Sequence, residues 1–153
     1  MRRYWTESSV TFSGEFYRAE AMGMDPKPVQ PGGPPIWLGG DSEAALRRVG
    51  RLADGWLAMA DSDEAVLTAT QNLAIIQAAA EAAGRDPAGI GLQARLSDPL
   101  DLESLTRRVA DLRAAGFTWT SVSLPSLETA GVVGVAALVE ALSRIRERLH
   151  GLG

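Results

Sequence analysis

The sequence predicts an α/β fold: one half of a (β/α)8 TIM barrel, four parallel strands alternating with four helices. Three observations lead there. Four short apolar runs bounded by turn residues alternate with four stretches whose apolar residues recur every three or four positions. Each helical stretch carries a single apolar stripe, which suits helices laid on one face of a sheet. A sheet covered on one face only leaves the other bare, and further strands curling round into a barrel are what cover it.

Residues 1–33 lack helical periodicity. "VTFSGEFYRAEAM" alternates apolar and polar residues around Gly14, predicting a short hairpin or extended loop. "MDPKPVQPGGPP" is too rich in Pro and Gly to be anything but an extended connector. The expected division is therefore a loop, hairpin and connector over 1–33, and a half-barrel over 34–153.

The half-barrel begins with "PIWLGG" (Pro35–Gly40), a continuously apolar strand. Asp41 or Ser42 caps a helix to about Leu52 that carries Ala45, Leu46, Val49 and Leu52 on one face. "DGWLAM" (Asp54–Met59) is the second strand. Asp61 or Ser62 opens a long helix to Ala83, ended by Gly84. "GIGLQARL" (Gly89–Leu96) is the third strand, and Asp101 caps a helix with Leu102, Leu105, Val109 and Leu112 that stops at Gly116. "FTWTSVSLP" (Phe117–Pro125) is the fourth strand. The last helix carries Val135, Leu138, Val139, Leu142, Ile145 and Leu149.

At 153 residues, with 46% hydrophobic and 22% charged residues, the chain can bury a core and is not disordered. A net charge of −4 with no basic stripe argues against a nucleic-acid partner. The absence of cysteine excludes disulfides and thiolate chemistry. No apolar run approaches membrane-spanning length and no secretory signal precedes the domain, so a cytoplasmic protein is expected.

Candidate site residues cluster at strand ends. Gly39 and Gly40 close the first strand where this fold builds its active sites. They let a ligand lie against bare backbone, and the helix starting near Ser42 aims N–H groups and its positive dipole end at the same spot, favouring a phosphate. The plainer alternative is a tight strand-to-helix turn. Asp41 is an unfavourable neighbour for an anion unless it turns away to cap the helix. Asp54 can accept backbone hydrogen bonds at its strand start, Gly55 allows close approach, and Trp56 is expected to fill the barrel interior. Trp37 is expected to pack inside the barrel or between the sheet and the helices.

Met59, Ala60, Asp61, Arg95, Asp98, Ser121, Ser123 and Ser126 are placed where they could reach a substrate, with solvent or capping roles as the alternative. Asp61 and Asp63 are most simply helix-cap residues, and Arg144, Arg146 and Arg148 a solvated helix end. His150 is the only histidine and sits in the last helical turn, which leaves no His-based zinc site and no Ser–His–Asp triad.

"PPIWLGG-S-EAALRR--R-ADGW", preceded by "W----V-FSGEFY" and followed by "AAAEAAGRDPAGIGL" and "AAGFTWTSVSLP", resembles the C-terminal half of the bacterial luciferase-like monooxygenases. The resemblance implies strands five to eight of a (β/α)8 barrel that uses FMN or coenzyme F420. The first four strands, which in that family carry much of the flavin pocket and the usual catalytic groups, have no counterpart here, so no catalytic residue is assigned. It further implies that the double glycine contacts the cofactor phosphate, giving Gly39, Gly40, Asp41 and Ser42 as cofactor-binding candidates. The expected function is a flavin- or deazaflavin-dependent monooxygenase or oxidoreductase acting on a small molecule. The alternatives are an inactive truncated member, or a half-barrel that binds a phosphorylated ligand. A homodimer, or a separate N-terminal half, is the expected partner.

Overall fold

The computed structural model describes residues 1–97, 102–123 and 134–150. The chain divides into two compact units, Met1–Pro35 and Ile36–Gly153.

In the first unit a short helix, α1 (Arg2–Thr6), precedes an antiparallel hairpin of β1 (Val10–Ser13) and β2 (Arg18–Met22). The alternation around Gly14 is the source of that hairpin. The helix is too short to stand on propensity. Lys27, the chain's only lysine, holds its end by donating to the carbonyls of Tyr4 (2.8 Å) and Glu7 (2.6 Å). Trp5 lies flat on Gly33, where a Cβ would strike its ring, so the Pro–Gly connector is pinned as well as extended.

The second unit alternates strand and helix throughout: β3 (Trp37–Gly39), α2 (Glu43–Leu52), β4 (Gly55–Met59), α3 (Asp63–Ala82), a 3₁₀ turn (Pro87–Gly89), β5 (Gly91–Leu96), α4 (Leu102–Ala114), β6 (Trp119–Val122) and α5 (Val135–His150). The strands lie in chain order β3-β4-β5-β6, each parallel to the next. Right-handed crossovers between sequential parallel neighbours put all the helices on one side. This is a section of barrel wall, not a doubly wound sheet. The expected half-barrel pattern therefore stands in the structure.

Strand parity divides the wall. Leu38, Trp56, Ala58, Leu92, Ala94, Leu96 and Val122 pack with Leu46, Val49, Val66, Leu73, Ile76, Leu105, Val109 and Leu112 of the helices to form the core. The other face presents Trp37, Gly55 and Gly91 in one row, Gly39, Leu57, Gln93 and Trp119 in the next, then Met59, Arg95 and Ser121. Trp37 lies across Gly55 and Gly91, and a Cβ on either glycine would collide with its indole. Leu57, Met59 and Trp119 on this face are exposed.

The strand ends are stepped. Gly39 is level with Leu57, β4 runs two residues past that level to Met59, and β5 one residue further to Leu96, level with Val122 of β6. Such a stagger is what a sheet of tilted strands needs in order to curve into a barrel.

Several expectations shift. Trp56 does not fill the barrel interior: it is fully buried on the helix side, 5.9 Å from the ring of Phe117. Trp37 takes the inner face instead. In α2 the buried residues are Leu46, Val49 and Gly50, whereas Leu52 is exposed. Gly50 brings α2 against the backbone of α3 at Ile76 and Ala80, an approach that excludes a side chain. The apolar stripe of α5 is only partly used, with Ile145 against the core and Val135, Val139 and Leu142 exposed. Among the described residues this helix packs chiefly on α4, and it follows the edge strand β6. Asp98, Asp101, Pro125 and Ser126, and the side chains of Leu102 and Leu149, lie outside the described residues.

Candidate functional site

The candidate site is the rim formed by the C-terminal ends of the four parallel strands, where barrels of this fold build their sites. At β3 the chain must turn at once into α2. Gly40 makes that turn with φ of 109°, a conformation that a side chain disfavours, and a Cβ there would sit 3.0 Å from Ala45. Gly39 differs. Its φ is not in the left-handed region, and the nearest atom to an added Cβ is the Leu57 carbonyl oxygen at 3.7 Å, so the space over it is open. Gly40 is therefore required by the turn, while Gly39 keeps a patch of backbone bare on the inner face.

Ser42 is the N-cap, its Oγ accepting from the Ala45 N–H at 3.3 Å. The first N–H groups of α2, those of Glu43 and Ala44, have no acceptor within the helix by geometry. The Trp56 indole N–H donates to the Gly40 carbonyl at 3.2 Å and fixes the turn from the core side. Asp41 does not cap; it is exposed beside the turn. With Met59, Ser62, Glu64 and Thr68 it lines a cavity of about 280 Å³ at the head of α3. Two carboxylates, Asp41 and Glu64, make that cavity a poor place for an anion.

The base of the wall is tied by Asp54, whose carboxylate accepts from the Ile36 N–H at 2.6 Å and whose backbone pairs with Ile36 and Gly91. That is the role expected of it. Arg85 had no role assigned in the sequence reading, yet its guanidinium donates to the carbonyls of Gly50 and Ala53, both at 2.6 Å, and so caps the C-terminus of α2. Asp86 beside it caps the 3₁₀ turn through the Ala88 N–H at 2.9 Å. The signal was present in "AGRDP": an Arg–Asp pair after a helix-ending glycine, where one charge can reach back and the other forward.

At the rim of β4, Ala60 is fully buried and donates its N–H to the Arg95 carbonyl at 2.9 Å, which removes it from any contact with substrate. Asp61 is occupied as well. Its Oδ1 accepts from the Ser97 N–H at 2.7 Å and from the Ser97 hydroxyl, clamping the β4 and β5 ends together. Ser62, not Asp61, caps α3, accepting from Ala65 N–H at 3.1 Å.

Asp63 receives Arg108 Nε and Arg107 Nη2, both at 2.7 Å, and the Arg108 Nη1 donates to the Asp61 carbonyl at 2.8 Å. Hydrogen bonding from Arg108, then Arg107, holds the Asp63 carboxyl below its ordinary range. Met59, Arg95 and Ser121 remain on the inner face at the rim, with Ser121 Oγ accepting from Gln93 Nε2 at 3.1 Å. His150 is exposed in the last turn of α5. Among the described residues no group of His, Cys, Asp and Glu has the arrangement of a metal site. Among them, no helix is long and apolar enough to cross a membrane.

The family model of luciferase-like monooxygenases matches residues 1–97, from α1 through the end of β5. The chain belongs to this family. Three relatives are similar to this luciferase-like chain. One is an F420-dependent hydroxymycolic acid dehydrogenase of Mycobacterium tuberculosis, 33% identical over 113 residues, covering 73% of this chain and 29% of the relative. Another is an F420-dependent glucose-6-phosphate dehydrogenase of Nakamurella multipartita, 32% identical over 130 residues, covering 84% and 35%. An FMNH(2)-dependent dimethylsulfone monooxygenase of Pseudomonas putida is 33% identical over 66 residues, covering 43% and 18%.

Among solved structures, a coenzyme F420 dependent tetrahydromethanopterin reductase from Methanopyrus kandleri superposes with a TM-score of 0.67 at 14% identity. The overlap takes in 80% of this chain and 55% of that one, and supports the fold alone. The luciferase-like chain thus spans about a third of the length of the first two relatives.

Proposed function

We propose that this chain is the cofactor-phosphate wall of a flavin- or deazaflavin-dependent oxidoreductase acting on a small molecule. The observation that carries the reading is the bare backbone of Gly39 at the head of α2, on the rim where barrels of this kind build their sites. The residues present fit the phosphate end of such a cofactor: open space over Gly39, a left-handed Gly40, and next to them the N-terminus of a ten-residue helix, whose first N–H groups and dipole favour an anion. Ser42 orders those donors through its cap and Trp56 holds the turn in position. Bound there, FMN or F420 would supply the hydride or oxygen chemistry, with the protein supplying position and surroundings.

Met59, Arg95 and Ser121 offer the substrate side one thioether, one cation and one hydroxyl at the rim. Coenzyme F420 is favoured over FMN because the two relatives that cover most of this chain are named for it.

Titration of the purified chain with F420 and with FMN, followed by cofactor fluorescence, tests the proposal. Saturable binding is expected, tighter for F420. A Gly39→Leu variant, which fills the open space and leaves the Gly40 turn intact, should weaken it at least about tenfold, or ~1.4 kcal/mol. Equal affinity in wild type and variant would show that the glycine is only part of a turn.

A further inference from the structure

On the inner face, β5 and β6 carry a square of four side chains. Gln93 and Trp119 are register partners, and one row nearer the rim so are Arg95 and Ser121. Residues two apart on a strand share a face, and adjacent strands lie about 5 Å apart. Gln93 reaches diagonally across the square, its Nε2 donating to Ser121 Oγ at 3.1 Å. That bond has a direction. A hydroxyl that accepts from an amide keeps its own proton to give elsewhere. Arg95 beside it can only donate, and no hydrogen bond or ion pair among the described residues occupies its guanidinium. The carboxylate at the neighbouring strand end, Asp61, is turned instead to the N–H and hydroxyl of Ser97.

We infer that Arg95 and Ser121 bind the carboxylate of a small organic acid, and that Gln93 is the positioning residue that turns the Ser121 hydroxyl toward it. The donor set carries the inference. An ionised carboxylate only accepts, and a guanidinium beside a free hydroxyl proton offers donors to both of its oxygens. Charge selects a carboxylate over a phosphate monoester. Arg95 is the only charged residue among the described inner-face positions of the four strands, so this wall presents one positive charge to a monoanion. Leu57 and Trp119, one row below, supply apolar surface for the carbon skeleton of the acid. The position is distinct from Gly39, which lies on β3, two strands from Arg95 and three from Ser121. Calling the acid a substrate rests on the oxidoreductase reading; the anion site itself does not.

Benzoate and its neutral isostere benzamide test the site, titrated without cofactor against the isotope-labelled chain and followed by nuclear magnetic resonance. Benzoate should bind saturably and shift the Arg95 Nε–H and Gln93 Nε2 signals, with benzamide at least about tenfold weaker. Arg95→Met should remove that preference, its amide spectrum reporting whether the fold is kept. Gln93→Met should weaken benzoate about threefold in the wild-type background and not at all beside Ser121→Ala. Equal loss in both backgrounds would show that Gln93 does not act through Ser121 and overturn its positioning role. Equal affinity for benzoate and benzamide, or tighter binding of phenyl phosphate than of benzoate, overturns the carboxylate assignment. Benzoate that shifts the Glu43 and Ala44 amides instead places the anion at the head of α2 and overturns the site. A chain that binds F420 but not benzoate loses this inference alone; one that binds benzoate but not F420 loses only the cofactor reading.

Discussion

Gly39 and Gly40 stand side by side in the sequence and do different work. Only the second has a backbone angle that a side chain resists, and only the first leaves open space at the rim. Gly40→Ala should therefore cost about 1–2 kcal/mol in urea unfolding, from left-handed strain added to a tight contact with Ala45. Gly39→Ala should leave the midpoint within about 0.5 kcal/mol of wild type. A reversed order would overturn the division of roles. The doublet was legible in the sequence as a rim turn, but its division was not, because both residues are glycine and only coordinates reveal φ. Asp41 against Ser42, and Asp61 against Ser62, were ambiguous for a related reason: aspartate and serine both cap helices well, so composition cannot choose between neighbours. The structure chooses serine twice, and uses Asp61 to join two strands through Ser97.

At the scale of elements, periodicity was informative for α3 and α4 and uninformative for the strands. "GWLAM" is apolar at every position, so nothing in it says which side chains face the helices. Trp56 was accordingly expected inside the barrel and is found outside it, between the sheet and the helices. The stripe of α5 was legible as a helix, but not which of its apolar residues meet the core. The link between α3 and α4 runs through Asp63 and the buried Arg108, two residues that charge patterning alone would leave on separate solvated faces.

Because the Asp63 carboxyl is held below its ordinary range, its contribution to stability is fully present above that range. It is lost as pH falls through the lowered value, below about pH 4. Asp63→Asn should thus lower the thermal midpoint at pH 7 and narrow its difference from wild type toward pH 2.5. A difference independent of pH would show that the pair adds nothing through its charge.

For the whole molecule, the fold class was readable because four alternations with one-sided helices permit few arrangements, and a sequential parallel sheet is what they form. Closure into a barrel was readable from the one-sided stripes of the helices, but the register that carries it appears only when the strands are paired. The strand ends climb by three residues across the sheet, the stagger that a curved barrel wall needs, and Gly39 lies at the rim of that wall.

The rim is held to grip a phosphate, so the most direct measurement compares F420 with the same deazaflavin stripped of its phosphate-bearing tail, both titrated against the 153-residue chain. The account predicts that the phosphorylated form binds at least about tenfold tighter, and that Gly39→Leu erases the difference. Equal affinity of the two forms for the unaltered chain would contradict it.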